Sequence, residues 1–90
     1  MELLINKLSE DTFEISVNFK QRTKHLVYLS DEVHLNLTNN KISKKKLIKF
    51  SFEFLLDREP NTSILSSFEL DVISKYFPEY SLNVQEYCNI

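Results

Sequence analysis

Two segments of the chain alternate apolar and polar residues, as strands with one buried face do. In the first, residues 13–20, one face carries Phe13, Ile15, Val17 and Phe19. In the second, residues 24–29, one face carries His25, Val27 and Leu29, and the other carries Lys24, Leu26 and Tyr28. A short polar stretch separates the two. The pattern therefore predicts two half-buried strands joined by a turn.

Two helices are predicted to follow. Ser30 is a suitable N-cap, and Asp31 and Glu32 are acidic residues in a first turn, where the helix dipole favours them. Asn39 or Asn40 can take the left-handed conformation that ends this short helix. Ser43 caps a longer helix over residues 44–58, which is apolar nearly all round. Such a helix has to be covered on more than one side.

The remaining chain predicts smaller elements. Pro60 stops the longer helix, and Pro78 ends a second apolar stretch. Residues 59–80 are expected to form short helices that pack on the core, including its extra phenylalanines. Residues 81–90 are expected to be a loosely held tail, and residues 3–5 could form a small helix.

Composition narrows the class of protein. The 90 residues are 42% apolar and 27% charged, which is typical of one small globular domain. Glycine is absent, which excludes glycine-rich phosphate loops. No apolar run approaches the roughly 18–20 residues of a membrane span, and the N-terminal residues are a poor secretory signal. With Cys88 as the lone cysteine, we expect a cytoplasmic protein.

The net charge of −2 hides a partition along the chain. Residues 20–50 hold eight basic side chains against two acidic ones, whereas residues 1–19 and 51–90 carry −3 and −5. A basic centre between acidic flanks points to an anionic partner for the middle of the chain. A solvated charged surface would give the same distribution, so charge alone leaves both interpretations open.

The sequence offers little for catalysis or metal binding. His25 and His34 are nine positions apart, and no cysteine or carboxylate joins them at the spacing of metal ligands. Ser66 and Ser67 have no identifiable general base. We therefore expect neither an enzyme nor a cofactor nor a metal site, and His25 is interpreted as a partly buried strand residue.

The order of strand, short helix, turn and longer helix in "TKHLVYLSDEVHLNL" and "ISKKKLIKFSFEFLL" resembles the ribbon-helix-helix (Arc/MetJ/CopG-type) DNA-binding family. The resemblance implies a mainly α fold with a short β-ribbon, built as an intertwined homodimer with a C-terminal helical extension. Residues 23–58 would be the core of that fold. Residues 1–22 would be an N-terminal extension with a possible extra strand at 13–20.

The resemblance also implies a function and a site. Two chains would pair their strands and place the ribbon in the major groove of an operator, as in a homodimeric autorepressor of the antitoxin or plasmid-maintenance type. The base-contacting residues would then be Lys24, Leu26 and Tyr28. The phosphate-contacting residues would be Arg22, Ser43, Lys44, Lys45 and Lys46. A phosphate at the helix N-terminus would account for three lysines in a first turn that ordinarily favours acids.

A second interpretation stays open. Leu26 on the groove-facing side, the acidic overall balance and the extra strand at 13–20 also favour a protein–protein interaction module on the same fold, without DNA binding. In either case the acidic C-terminal half could hold a protein partner such as a toxin.

Overall fold

The computed structural model describes residues 2–89, in which four strands form one mixed sheet. The first three strands, β1 (Glu2–Lys7), β2 (Thr12–Asn18) and β3 (Arg22–Tyr28), make an antiparallel meander. The fourth strand, β4 (Ser67–Glu69), lies parallel to β3 on its other side. The sheet order is therefore β1-β2-β3-β4, with β1 and β4 at the two edges.

The helices and the sheet share one hydrophobic core. The helices are α1 (Asp31–Thr38), α2 (Lys44–Leu56), α3 (Ile73–Tyr76) and α4 (Tyr80–Cys88), with short 3-10 turns at Asn61–Ser63 and Leu70–Val72. Alternate residues of β2 and β3 are buried in one cluster together with residues of α2, α3 and α4, whereas the other face of these strands is exposed or half-buried. The fold is a two-layer α+β arrangement with one open sheet face. The longest helix among residues 2–89 has thirteen residues, too short to cross a lipid bilayer.

Both predicted helix N-caps are confirmed. The Ser30 hydroxyl accepts a hydrogen bond from the Val33 N–H at 3.2 Å, and the Ser43 hydroxyl accepts one from the Lys46 N–H at the same distance. The first helix ends at Asn39, whose φ of 53° lies in the left-handed region, and Asn40 follows with a φ of 60°. Two asparagines thus take the conformation that glycine usually supplies.

The apolar helix α2 is covered on several sides, as its sequence predicts. Phe52 contacts the ring of His25 beneath it and the ring of Phe68 on β4, with centroids 5.5 and 6.2 Å apart. On another side, Phe54 meets the edges of Phe77 and Tyr80. Because these contacts come from residues before and after α2, the helix occupies the centre of the core.

The predicted mainly α ribbon-helix-helix fold is wrong. β3, the strand expected to pair with a second chain, is hydrogen-bonded to β2 on one side and to β4 on the other. A strand needs partners for its backbone groups, and here the same chain supplies both. The sheet has four strands in one protomer, so no two-stranded ribbon exists among residues 2–89 and no intertwined dimer is needed to complete it.

The C-terminal half also differs from its prediction. Around Phe68 the chain forms β4 in place of a helix. Residues 81–88, expected to belong to a loose tail, form α4 together with Tyr80, and Tyr80 and Val84 are fully buried. These two side chains lie on one helical face and help to dock this segment, because each fully buried apolar side chain contributes roughly 1.5–3 kcal/mol. At the other terminus, residues 3–5 lie in β1 rather than in a helix.

Candidate functional site

The three predicted base-contacting residues lie together on the open face of β3. Lys24 and Tyr28 are exposed and Leu26 is half-buried, so the predicted facing of this strand is confirmed. Their cross-strand neighbours on β2 are Ser16 beside Lys24 and Glu14 beside Leu26. The spacing of four strands gives a sheet about 14 Å across between its outer backbones, before side chains are counted. That exceeds the ~12 Å width of the major groove.

The five predicted phosphate-contacting residues do not come together. Ser43, Lys44, Lys45 and Lys46 stand at the N-terminus of α2, next to the β1–β2 turn. Arg22 begins β3, at the opposite end of the sheet from that turn, because it pairs with Asn18 whereas Tyr28 pairs with Thr12. The N-terminus of α2 and Arg22 therefore belong to different surfaces.

Lys44 has internal partners. Its ammonium lies 2.7 Å from the Asp31 carboxylate and 3.0 Å from the Asp11 carboxylate, and it donates a hydrogen bond to the Glu10 carbonyl at 3.0 Å. Only 14% of its side chain is exposed. Lys44 thus joins three segments: the β1–β2 turn, the first turn of α1 and the first turn of α2.

The pKa shifts agree with this arrangement. The hydrogen bond from Lys44 and its charge lower the pKa of Asp31. Burial acts to lower the pKa of Lys44, but hydrogen bonds to Asp31 and Asp11 outweigh it, so the pKa of Lys44 is raised. A cation in the first turn of α2 is unfavourable with respect to the helix dipole, and two carboxylates offset that cost here. Lys45 and Lys46 are exposed.

Two buried polar side chains, His25 and Asn61, and the half-buried Thr23 form a continuous hydrogen-bonded chain at β3. Asn61 donates from Nδ2 to the Thr23 hydroxyl at 3.0 Å, and the Thr23 oxygen lies 2.9 Å from His25 Nε2. The other ring nitrogen, Nδ1, lies 2.7 Å from the Leu65 carbonyl and therefore donates to it. With Nδ1 protonated, Nε2 accepts from Thr23 and every group is satisfied by a neutral imidazole. His25 is thus a structural residue that joins β3 to the segment between α2 and β4.

A groove opens beside β4 that sequence reasoning did not locate. Its cavity volume is about 350 Å³. It is lined by Leu55, Glu59, Ser63, Ile64, Leu65, Phe68, Val72, Ile73, Tyr76 and Phe77, and is called the β4 groove below. Glu59 and Ser63 are the polar members of this lining. Leu65 and Tyr76 are 48% and 67% exposed, which is high for large apolar and aromatic side chains.

The β4 groove is assembled from four segments separated along the chain. The C-terminal end of α2, the turn after Pro60, β4 and α3 each contribute to it. The nearby Arg58 is directed elsewhere: its guanidinium lies 3.6 Å from the Phe54 ring centroid and bonds to the Phe54 carbonyl and to Glu79. The charge left at the lining of the groove is the Glu59 carboxylate.

Comparison with protein-family models, with curated proteins and with solved structures finds no match for this chain. The arguments about function consequently rest on the geometry above.

Proposed function

We propose that the chain is a protein–protein interaction module whose β4 groove takes up an apolar segment of a partner protein. The observation that carries this proposal is the groove itself, with a volume of about 350 Å³ and a lining in which eight of the ten residues are apolar or aromatic. Binding sites for small ligands and anchoring side chains typically begin at about 300 Å³ and have such linings.

The exposed apolar side chains at the groove indicate a binding site for a partner protein. Leu65 and Tyr76 stand about half or more exposed, beside Phe68 and Ile73, which are buried. Burying apolar area is worth about 25 cal/mol per Å², so a partner side chain that covers these two residues gains affinity. Aromatic residues such as Tyr76 are also enriched among the residues that dominate binding energy.

Charge indicates the chemistry of the partner. Residues 51–90 carry a net charge of −5, and Glu59 lines the groove. An acidic C-terminal half and a carboxylate in the lining of the groove favour a segment whose apolar anchors are flanked by lysine or arginine. Such complementarity raises the association rate and disfavours acidic partners. With Cys88 free, we place this interaction in the cytoplasm.

A peptide selection tests this proposal. A random peptide library displayed on phage is selected against the immobilised chain, and enriched peptides are synthesised and titrated into isotopically labelled protein. We expect enriched sequences that combine large apolar residues with lysine or arginine, and amide shifts at the groove. Leu65→Asp should abolish binding, whereas Leu82→Asp, at a similarly exposed leucine on α4, should leave it unchanged. Enrichment of acidic peptides, or equal loss in both variants, contradicts the proposal.

A second candidate function is DNA binding by a homodimeric regulator of the antitoxin or plasmid-maintenance type. The observation that favours it is the exposure of Lys45 and Lys46 at the N-terminus of α2, where free helix N–H groups can meet a phosphate. Base contacts from Lys24 and Tyr28 would then have to come from the open sheet face rather than from a ribbon.

Fluorescence anisotropy across a salt series separates the two functions. The probe is a duplex from the region upstream of the gene, with a scrambled duplex as reference. DNA binding predicts that Lys45→Ala/Lys46→Ala reduces the salt slope by about 0.9 for each phosphate that the protein no longer neutralises. Lys44 is left intact because its replacement would also disturb the fold. Absence of binding to both duplexes at low salt rejects this function and leaves the interaction module.

A further inference from the structure

The outer edge of β1 has no strand beside it among residues 2–89. β1 pairs with β2 along its whole length, from Glu2 opposite Asn18 to Lys7 opposite Phe13. The backbone groups on its other side are therefore available for pairing. Proteins usually protect such an edge with proline, a bulge, an inward-pointing charge or a very short strand. The six residues of β1 are ELLINK, with none of these devices in the central four.

The register of β1 with β2 determines which backbone groups face outward. At the end of the hairpin the Leu8 N–H donates to the Thr12 carbonyl at 2.8 Å. Hydrogen-bonded positions alternate along an antiparallel pair, so Asn6 and Leu4 also bond towards β2. The N–H and C=O groups of Leu3 and Ile5 consequently point away from β2, to the free edge.

The side chains at this edge are apolar and incompletely covered. Leu3 and Ile5 lie on the core face but remain half-buried, because no element beyond β1 covers them. Leu4 lies on the open face and is 54% exposed. The edge thus combines unpaired backbone groups with three apolar side chains on its two faces, which is the surface that another strand of similar sequence would complete.

We propose that β1 pairs antiparallel with β1 of a second copy of this chain, about a two-fold axis at Leu4. This register keeps both open sheet faces on the same side, as a continuous sheet requires, since opposite residues share a face. Leu4 then contacts Leu4 of the second copy in a non-hydrogen-bonded pair. Leu3 of each copy lies opposite Ile5 of the other copy, so the two-fold axis creates two such pairs. Together these two pairs form four backbone hydrogen bonds. The result is an eight-stranded sheet.

Side-chain pairing selects this register over its neighbour. An axis at Ile5 is also compatible with the two faces, but it would set Leu3 opposite Lys7 and Leu4 opposite Asn6. With the axis at Leu4, apolar residues meet apolar residues on both faces, and Glu2 meets the Asn6 amide. Apolar cross-strand pairs stabilise a sheet relative to mixed ones. The self-complementary side chains of β1 are what identify the partner as a second copy.

Cysteine cross-linking tests the register. In a Cys88→Ser background, Leu4→Cys places two thiols in a non-hydrogen-bonded pair, where Cβ atoms come near disulfide distance. We expect this variant to cross-link under mild oxidation. Asn6→Cys is the matched control, since it lies on the same exposed face but about 14 Å from its counterpart. Cross-linking of Ile5→Cys with none of Leu4→Cys, or equal cross-linking of Leu4→Cys and Asn6→Cys, overturns the proposed pairing.

Analytical ultracentrifugation tests the association itself without any cysteine. Unmodified protein, in a concentration series reaching about 0.1 mM, should approach twice the 10.7 kDa mass of one chain. Leu4→Lys places like charges opposite each other on the axis and should raise the dimer Kd about tenfold or more, with unchanged circular dichroism. A monomer at every concentration, or a dimer unaffected by Leu4→Lys, overturns the proposal. Neither outcome affects the β4 groove, which lies at the other edge of the sheet.

Discussion

The hydroxyl pair between α2 and α4 makes a prediction whose sign can be worked out from the contacts. Ser51 and Tyr80 are fully buried, and their oxygens are 2.5 Å apart. The Ser51 hydroxyl already donates to the Leu47 carbonyl at 2.7 Å, so the Tyr80 hydroxyl must be the donor of the shared bond. Burial raises the pKa of Tyr80 far above its ordinary value, which keeps this donor protonated.

The two single substitutions should differ in cost. Tyr80→Phe removes one hydrogen bond and leaves Ser51 bonded to Leu47, so it should cost about 1 kcal/mol. Ser51→Ala leaves a buried phenol without an acceptor, which costs about 1–3 kcal/mol, offset by roughly 0.5 kcal/mol from the better helix propensity of alanine. In the Ser51→Ala background, however, Tyr80→Phe removes the unsatisfied donor. There it should stabilise the protein by about 1 kcal/mol.

Urea unfolding followed by far-ultraviolet circular dichroism measures this double-mutant cycle. The m-value should be the same in all four proteins, which shows that the same surface is exposed on unfolding. Tyr87→Phe serves as control, because Tyr87 is 40% exposed and should change stability by less than about 0.5 kcal/mol. If Tyr80→Phe destabilises the Ser51→Ala protein as much as it does the unmodified one, the two hydroxyls are not bonded and this account of how α4 docks is wrong.

Three further predictions concern the polar contacts. Lys44→Met should lower the urea midpoint in low salt, with a smaller decrease in high salt, whereas Lys45→Met should change stability by less than about 0.5 kcal/mol. Because Lys44 lowers the pKa of Asp31, the stabilisation of the fold by this ion pair is present above about pH 4 and is lost as the pH falls through the lowered pKa of Asp31. Asp31→Asn should therefore make the free energy of unfolding depend less on pH in the acid range. Thr23→Val leaves His25 without its donor and should cost about 1–3 kcal/mol in urea unfolding, and a cost near zero would contradict the hydrogen-bonded chain.

Local patterns predicted local features of this protein well. The alternation in residues 13–20 and 24–29 identified two strands and their buried faces, except that Phe19 lies beyond the end of β2 and is 54% exposed. Ser30 and Ser43 identified two helix starts. These features depend on residues a few positions apart, whose geometry is set by the strand or helix period. The order of the strands in the sheet could not be predicted in this way, because periodicity shows which face of a strand is buried but not which strand pairs with it.

The error over the fold came from that missing information. The sequence around Tyr28 and Ser30 resembles a ribbon that pairs between chains, but β2 and β4 satisfy the same need within the chain. β1 itself gave a weak signal, since a three-residue apolar run at positions 3–5 suits a helix as well as a strand. The first residue of β4 pairs with Leu26 on β3, although the two residues are forty-one positions apart in the sequence. No local pattern can predict a pairing over that distance.

The internal partners of Lys44 were not predicted, for a related reason. Three consecutive lysines at a helix start suggested an external anion, and two of them, Lys45 and Lys46, do face solvent. The partners of Lys44 come from Asp11, thirty-three positions earlier, and from Asp31 in the preceding helix. The β4 groove was equally out of reach, since its lining is assembled from four segments. The phenylalanines of α2 gave no signal of it, since none of Phe50, Phe52 and Phe54 lines the groove.

The brevity of β4 limits how far the sheet can grow. This strand has three residues and runs directly into the turn at Leu70–Val72, so the sheet ends there with little edge to offer. A protomer with two long free edges could add copies indefinitely at both, which is the geometry of a fibre. With one usable edge, pairing through β1 consumes it, and the assembly is closed by symmetry after the second copy joins.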